Sequence, residues 1–154
     1  MKHFVEEEYI PKQLWDYFKT KYNNGKMAMR YINPKIPIFM EWLRNTLGKR
    51  IVINTWHLNL APEQTFDGRC LRLPGDSKYK LTSDHNYGLA VDFEVDGMIA
   101  EEVRQALLYT YSSFFLALGA TIMEKNTNWV HVGFADLSIG WTPQKICGIY
   151  MVNP

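Results

Sequence analysis

The most constraining feature of this chain is a carboxylate that falls inside an apolar strand pattern. The stretch "SDHNYGLAVDF" runs from Ser83 to Phe93, and Asp92 follows Val91 within it. Aspartate is almost never fully buried without a partner. An ionised carboxylate among apolar side chains is strongly destabilising unless a positive group or hydrogen-bond donors lie against it. The sequence therefore requires an arginine, a network of donors or a metal ion beside this strand.

Strand alternation indicates which residues share the face of this carboxylate. In "LAVDFEV" the odd-numbered positions are apolar and share one face, which leaves Asp92 on the other. In "NWVHVGF" the valines form one face, and His131 lies on the opposite one. If the two strands pair, Asp92 and His131 project into a common space. His85, on the loop before the first strand, can reach the same point because Gly88 allows the chain to turn.

Two histidines and one carboxylate form a ligand set for catalytic zinc, which keeps its fourth position open for water. Non-haem iron uses the same types of ligand, so the set alone does not choose the metal. Each residue also has an ordinary structural interpretation. His85 can cap a turn, His131 can be a hydrogen-bonded histidine of the sheet, and Asp92 can pair with an arginine. Spacing alone leaves both interpretations open.

Length and composition favour one globular domain over residues 1–154. The formal net charge of +1 gives no support for nucleic-acid binding, and no apolar run is long enough to span a membrane. The N-terminus, "MKHFVEEEYIPK", lacks the apolar core of a signal peptide, so we expect synthesis in the cytoplasm. We also expect a monomer. Two cysteines, Cys70 and Cys147, are too few for a disulfide framework and are expected to be reduced.

Hydrophobic periodicity predicts an α+β domain, with helices packed on a small antiparallel sheet. The predicted helices run from near Pro11 to Asn24-Gly25, from Pro34 or Lys35 to Gly48, and from Ile99 to Leu118. In the last helix, the residues at helical spacing that we expect in the core are Val103, Leu107, Tyr111, Phe114 and Leu118.

Strands are predicted at "RIVINT", "LAVDFEV", "ATIMEK" and "NWVHVGF". The last two are expected to form a hairpin around a tight Asn126-Thr127 turn. The segment from Trp56 to Ser83 has no periodicity and is long for a structureless stretch, so it is predicted to be a binding loop. The tail after Gly140 has no assigned element.

Both motifs resemble those of a known family. "SDHNYGLAVDF" resembles the S-x-H-x-x-G-x-A-x-D signature of zinc D-alanyl-D-alanine carboxypeptidases and L-alanyl-D-glutamate endopeptidases, which share their fold with the Hedgehog signalling domain. "NWVHVGF" resembles the W-x-H segment that supplies the last zinc ligand. "YINPKIPIFMEWLRNTLGKRIVINTW" is similar to the helix and strand before the signature in small phage-encoded members. The resemblance implies a Hedgehog/DD-peptidase-like fold with His85, Asp92 and His131 as zinc ligands.

The resemblance also implies catalytic residues, and here the chain departs from the common pattern. Relatives use an arginine upstream of the first histidine, for which "DGRCLR" offers Arg69 and, less well placed, Arg72. Many relatives carry an acidic residue three positions before the last histidine, where this chain has Asn128. A phage-type subgroup instead has a glutamate seven positions before it, and Glu124 fits that version. The same subgroup often has an aspartate where this chain has Gly133.

The implied function is metal-assisted hydrolysis of a peptide bond in peptidoglycan stem peptides, of the D,D-carboxypeptidase or L-alanyl-D-glutamate endopeptidase type. Glu124 is expected to act as the general base, and Arg69 to bind a substrate carboxylate or the developing oxyanion. Ser83, Trp129 and His57 are further candidates for contacting the substrate. The cofactor implied is zinc.

An endolysin-like enzyme of this type is made in the cytoplasm and acts on the cell wall after release. Because Asn128 and Gly133 depart from the family pattern, two other classes of protein remain alternatives. One is a zinc-holding module that binds cell wall or another protein without hydrolysing it. The other is a structural phage component in which the metal only supports the fold.

Overall fold

One mixed sheet of six short strands forms the centre of the fold. The computed structural model describes residues 2–135 and 144–154. The strands are β1 (Ile51–Val52), β2 (Ala90–Val95), β3 (Ile122–Glu124), β4 (Val130–Gly133), β5 (Lys145–Ile146) and β6 (Ile149–Val152). Their order across the sheet is β1-β2-β4-β3-β6-β5. The α+β class and the β3·β4 hairpin are confirmed, although five residues rather than a two-residue turn join its strands.

The prediction of an antiparallel sheet is wrong for one pair of strands. β6 pairs with β3 in parallel, whereas the other neighbouring pairs are antiparallel. β5 and β6 come from the tail, for which no element was predicted, and residues 136–143 lie outside the described residues. The turn between them places Cys147 (φ 49°) and Gly148 (φ 85°) in the left-handed region. Such turns usually carry Asn-Gly or Gly-Gly. Because this turn has cysteine at its first position, the sequence did not indicate a hairpin here.

Helices cover one face of the sheet, and their bounds are α1 (Lys12–Tyr22), α2 (Lys35–Leu47), α3 (Ala100–Gln105) and α4 (Ser112–Ala117). Gly48 ends α2 in the left-handed conformation, as predicted, with φ 63°. α1 ends slightly earlier than predicted, because Asn23 adopts the left-handed conformation at φ 52°. In the part of the chain that the structure describes, no helix is long and apolar enough to cross a membrane.

The prediction of one continuous helix from Ile99 to Leu118 is wrong. A π-helical turn, Ala106–Thr110, separates α3 from α4, and the Tyr111 N–H bonds back to the carbonyl of Ala106. A π turn holds one more residue than an α turn, so every side chain after it moves round the helix axis. Phe115 is accordingly buried, while Phe114 is 57% exposed.

The hydrophobic core lies between the helices and the odd-numbered face of β2. Val91 and Phe93 are fully buried on that face. Phe39 of α2 packs edge-on against Phe115 of α4, with ring centroids 5.6 Å apart, and against Phe134 after β4 at 5.7 Å. The opposite face of β2 is buried as well, since Asp92 is only 5% exposed. Chain segments outside the helices cover that opposite face, and the polar groups described below collect there.

Gly88 is held at a point that no other residue can occupy without strain. It ends the 3-10 helix Asp84–Tyr87 at φ 64°, and a Cβ atom built on it would lie 1.9 Å from the carbonyl oxygen of Tyr31. Its own carbonyl accepts a hydrogen bond of 2.9 Å from the Asn33 N–H. This contact presses the turn that carries His85 against the segment before α2.

We expect Gly88→Ala to destabilise the protein much more than Gly48→Ala. Both glycines have nearly the same positive φ, but nothing lies within 4 Å of a Cβ at Gly48. The left-handed conformation costs about 1–2 kcal/mol for a residue with a Cβ, and overpacking adds about 1–3 kcal/mol for Gly88→Ala alone. Urea denaturation at a fixed metal concentration measures both changes. Equal free energies of unfolding for the two variants would contradict the close approach to Tyr31.

Candidate metal centre

Three side chains from separate segments converge on the polar face of β2. Asp92 lies in the middle of β2, directly opposite His131 of β4 in the strand register. His85 comes from the 3-10 helix that precedes β2. The Asp92 Oδ1 lies 2.7 Å from His131 Nδ1 and 3.1 Å from His85 Nε2, and the two nitrogens are 3.2 Å apart. All three residues are buried, and together they can hold a metal ion.

Two of the three separations between these atoms fit a first-row transition metal, and the third, 2.7 Å between Asp92 Oδ1 and His131 Nδ1, is that of a hydrogen bond. Bonds of 2.0–2.1 Å in a tetrahedral zinc site place neighbouring ligand atoms roughly 3.3 Å apart, and an octahedral face places them roughly 3.0 Å apart. The two separations that involve His85 Nε2, 3.1 and 3.2 Å, lie in this range. Imidazole ligands disfavour magnesium and calcium, which prefer oxygen. The donor set therefore suits zinc or iron equally well.

The orientation of the His85 ring is set by a main-chain carbonyl. Its Nδ1–H donates to the oxygen of Cys70 at 3.1 Å, which leaves the lone pair of Nε2 directed towards Asp92 and His131. Metal-binding histidines almost always donate their second ring N–H in this way, because the bond fixes the ring tautomer. Cys70 itself is a buried free thiol whose pKa is raised by burial. Neither cysteine forms a disulfide in the described structure.

Of the three kinds of partner considered for Asp92, an arginine is present, and it binds one oxygen of the carboxylate while the two histidines lie against the other. Arg72 Nη2–H donates to Oδ2 at 2.9 Å, and its Nε–H donates to the carbonyl of Gly68 at 3.1 Å. The Asp92 N–H in turn donates to the carbonyl of Arg69 at 2.6 Å. Because Arg72 binds only Oδ2, Oδ1 remains directed at the two histidines.

The electrostatics of the centre favour a bound cation. Burial opposes ionisation of Asp92, but the adjacent His85 and His131 rings outweigh it and hold the pKa of this carboxyl below its usual range. Burial also opposes protonation of His131, but the hydrogen bond and charge of Asp92 outweigh it and raise the pKa of that ring. A proton and a metal ion compete for the same lone pairs. The site therefore attracts positive charge, either as a proton or as a metal ion.

Two further carboxylates lie beside the three ligand candidates. Glu124, at the end of β3, has its Oε2 4.0 Å from His131 Nδ1, and its side chain is 19% exposed. Asp84 is half-buried, and burial raises the pKa of its carboxyl. A Cβ atom at Gly133 would meet the Ile122 side chain at 3.0 Å and Asp84 Oδ2 at 3.3 Å. A residue larger than glycine at 133 would therefore crowd the carboxylate of Asp84.

Arg69 does not contact any of the three ligand candidates through its side chain. Its guanidinium pairs with Glu94 at 2.5 Å and lies over the ring of Phe66, 3.5 Å from the centroid. Its Nη1 is buried and has no hydrogen-bond partner. The loop from Trp56 to Ser83 thus packs on the centre as predicted, but the arginine that reaches a ligand is Arg72.

The three residues predicted to contact a substrate occupy different places. Trp129 directly precedes β4, and its indole Nε1 is buried without a partner. Ser83 precedes the 3-10 helix that carries His85, and its carbonyl accepts the Asn86 N–H at 3.0 Å. His57 lines a cavity that contains none of the three ligand candidates. Its position near the start of the loop did not reveal this, because the loop folds over two regions.

Sequence reasoning missed Arg104, which supports the segment between Glu124 and His131. This side chain is buried, and its Nη1–H and Nη2–H donate to the carbonyls of Trp129 and Thr127 at 3.0 and 2.9 Å. Its Nε–H donates to Glu101 at 2.8 Å. The only signal in the sequence is the Glu101–Arg104 spacing of three on a helix, which usually marks a solvated pair.

Comparisons with known proteins do not assign this chain to a family. The chain matches no protein-family model, no curated protein and no solved structure.

We expect the purified protein to bind one zinc ion and His131→Ala to retain almost none. His131 supplies one of three ligand atoms, and the two that remain cannot close the site. His3→Ala is the matched control, because His3 is exposed and its side chain bonds to Asn45, away from the three ligand candidates. Elemental mass spectrometry after dialysis measures the metal content and distinguishes zinc from iron. Equal metal in the wild type and in His131→Ala would remove His131 from the site.

Arg72→Gln should weaken zinc binding by about tenfold to a hundredfold, which is typical for loss of a group that orients a ligand. Without the charged donor, the Asp92 carboxylate is free to rotate away from the histidines. Arg69→Gln is the control on the same loop, because its side chain touches Glu94 instead of a ligand. Competition with a chromophoric chelator measures both affinities. An Arg69→Gln variant as weak as Arg72→Gln would mean that general loop stability, rather than the contact with Asp92, controls the affinity.

Proposed function

We propose that this protein is a zinc-dependent peptidase that hydrolyses peptide bonds in peptidoglycan stem peptides, either as a D,D-carboxypeptidase or as an L-alanyl-D-glutamate endopeptidase. The observation that carries the proposal is the position of Glu124, whose carboxylate lies 4.0 Å from His131 Nδ1 beside the metal centre. A structural zinc site is closed by four protein ligands, whereas a catalytic site has three ligands and an open position. Three convergent ligands with an adjacent free carboxylate match the catalytic arrangement.

Zinc bound by His85, Asp92 and His131 would supply an activated water near neutral pH and a Lewis acid for the scissile carbonyl. Glu124 provides the group that accepts a proton from water and returns it to the leaving amine. It stands at the end of β3, where its backbone pairs with Val152 of β6. Its partial exposure leaves the carboxylate accessible to a substrate.

Two further side chains, those of Arg69 and Trp129, are candidates for orienting the substrate. Arg69 Nη1 and Trp129 Nε1 both lack a hydrogen-bond partner in the described structure. Glu94 and the ring of Phe66 hold the Arg69 guanidinium in place, so one of its nitrogens is already used and the other is free. A peptide carbonyl or a terminal carboxylate offers the acceptor that such donors require. Arg69 and Trp129 are therefore proposed to orient the stem peptide.

The choice of peptidoglycan as substrate rests on the resemblance of the two motifs, "SDHNYGLAVDF" and "NWVHVGF". The chemistry of the centre supports peptide hydrolysis more generally. A second candidate, a zinc-holding module without activity, is favoured by Asn128, because this amide stands where many relatives carry the acid and cannot accept a proton. The two candidate functions differ in whether Glu124 acts as a general base.

Glu124→Gln should lower the rate of peptidoglycan digestion by about a hundredfold or more, the usual loss on removing a general base. The amide has nearly the same shape and leaves the three ligand atoms unchanged, so zinc content and melting temperature should stay close to those of the wild type. The assay is digestion of purified peptidoglycan at matched zinc occupancy, with released peptides identified by mass spectrometry.

Glu63→Gln serves as the control for this experiment. Glu63 lies on an exposed 3-10 turn, away from the metal centre, and its substitution should leave the rate unchanged. A fully active Glu124→Gln variant would refute the role of Glu124. A wild type that binds zinc but cleaves no stem peptide would favour the non-catalytic module.

A further inference from the structure

A cleft lies against the turn that carries His85. Its volume is about 200 Å³, and its walls come from α1, the segment before α2, the loop after β1 and the turn itself. The described residues that line this tyrosine cleft are Leu14, Tyr31, Leu71, Leu73, Asn86 and Tyr87. Pockets for whole small ligands begin at about 300 Å³. The tyrosine cleft therefore has the size for one unit of a longer molecule.

The cleft combines exposed aromatic rings with a buried apolar base. Tyr31 is 49% exposed and Tyr87 is 61% exposed, whereas Leu71 is only 4% exposed. Single exposed hydrophobic residues are ordinary, but apolar surface that is grouped around a concave site and edged by polar groups is typical of binding sites. The two tyrosines are therefore placed to contact a ligand directly.

Both tyrosines are held in place by other parts of the chain. The Tyr31 ring packs on Phe18, with ring centroids 6.0 Å apart, and the Tyr31 carbonyl oxygen lies against Gly88. The Tyr87 hydroxyl donates to the carbonyl of Leu81 at 3.3 Å. Because these contacts restrict both side chains before a ligand arrives, less conformational entropy is lost on binding.

The lining of the tyrosine cleft favours a neutral ligand. None of its described lining residues is charged, whereas the cavity that His57 lines also has two arginines and a glutamate. An ion that entered the tyrosine cleft would lose hydration and meet no opposite charge in the lining, which is unfavourable. The electrostatics thus match an uncharged molecule.

The cleft is also amphipathic, which narrows the class of neutral ligand. Its leucines and tyrosine rings offer apolar area, and the hydroxyls of Tyr31 and Tyr87 are polar groups at the edges of those rings. A sugar ring has the same division, with C–H groups on its faces and hydroxyls around its edge. The C–H hydrogens carry a small positive charge, which is attracted to the negative face of an aromatic ring. A sugar unit therefore matches the cleft in size, charge and polarity.

The tyrosine cleft has a fixed position relative to the metal centre. Leu71 lies between Cys70, whose carbonyl holds the His85 ring, and Arg72, whose N–H donates to the carbonyl of His85 at 3.1 Å. Tyr87 belongs to the same 3-10 turn as His85. A polymer that carries both sugars and peptides is the class of substrate that uses both places.

We propose that the tyrosine cleft binds a neutral sugar unit of a polysaccharide, and that this polysaccharide is the glycan strand of the peptidoglycan whose stem peptide is cleaved at the metal centre. The identity of the polysaccharide rests on the proposed function, but binding of the sugar needs no hydrolysis. The cleft thereby favours stem peptides that are still attached to glycan over free peptides.

The test is titration of the full-length protein with a chitin tetrasaccharide, a chain of N-acetylglucosamine units that carries no stem peptide. Calorimetry measures the affinity, and NMR of the aromatic rings identifies the tyrosines that respond. The expected result is saturable binding, with shifts of the Tyr31 and Tyr87 ring signals.

Variants distinguish ring contacts from other causes of binding. Tyr31→Ala and Tyr87→Ala should each weaken binding by about tenfold, because each removes one aromatic contact with the sugar. Tyr31→Phe and Tyr87→Phe keep the ring and should bind within about threefold of the wild type, since at most one neutral hydrogen bond is lost. Zinc content and melting temperature identify any variant that is misfolded, and two positions keep the test valid if one variant fails to fold.

Tyr109→Ala is the matched control. Tyr109 is 63% exposed, lies on the π turn and does not line the tyrosine cleft, so its replacement should leave the affinity unchanged. With intact peptidoglycan as substrate, Tyr31→Ala and Tyr87→Ala should raise KM, whereas their rates on free stem peptides should equal that of the wild type.

Three results would overturn the proposal. The first is the absence of saturable binding, and the second is equal binding by wild type, Tyr31→Ala and Tyr87→Ala. The third is self-association of the wild type, measured by analytical ultracentrifugation, that both alanine variants abolish, because it would assign the cleft to a second copy of the chain. A wild type that binds the tetrasaccharide but cleaves no stem peptide would instead refute the proposed hydrolysis and leave the sugar site in place.

Discussion

The buried carboxylate of Asp92 is the group on which the rest of this structure depends. Its charge is compensated by the Arg72 guanidinium and the two histidine rings, and its own N–H bonds to the carbonyl of Arg69. These partners belong to a loop, a 3-10 turn and a neighbouring strand. Satisfying one charge therefore holds three segments in place, and removal of any partner would leave a buried charge uncompensated, which is far more destabilising than loss of a surface pair.

The sheet explains why such a site can be built from so few residues. Asp92 and His131 are direct partners in the β2·β4 register, and a slip of one residue would turn His131 towards the core and a valine towards the centre. The apolar face and the metal-binding face thus specify the same register. Glu124 reaches the centre because β3 is the other neighbour of β4. Gly88 completes the arrangement, since only glycine allows the His85 turn to approach Tyr31.

Local patterns predicted those parts of the site that lie on regular strands. Alternation placed Asp92 and His131 on one face, and their pairing confirmed it. The roles of Arg69 and Arg72 were not predictable, because an aperiodic loop gives no rule for side-chain direction. Only two residues lie between Arg69, which binds Glu94, and Arg72, which binds Asp92. The π turn likewise has no signature in the local sequence. The helical pattern therefore could not show that Phe115, rather than Phe114, is the buried residue. His57 shows the same limit, because the loop packs on the metal centre and also lines a cavity elsewhere.

The sequence by itself determined the α+β class, the strands that carry the ligand candidates and the requirement for a positive partner at Asp92, because these follow from periodicity and from the energetics of a buried charge. Only the tertiary structure decided which arginine binds that carboxylate, that β6 joins β3 in parallel, and that His57 lines a cavity with none of the ligand candidates. The physical reason is the range of the interactions. Periodicity acts over a few residues, whereas hydrogen bonds to buried groups join segments that are distant in the chain and are chosen by how those segments pack.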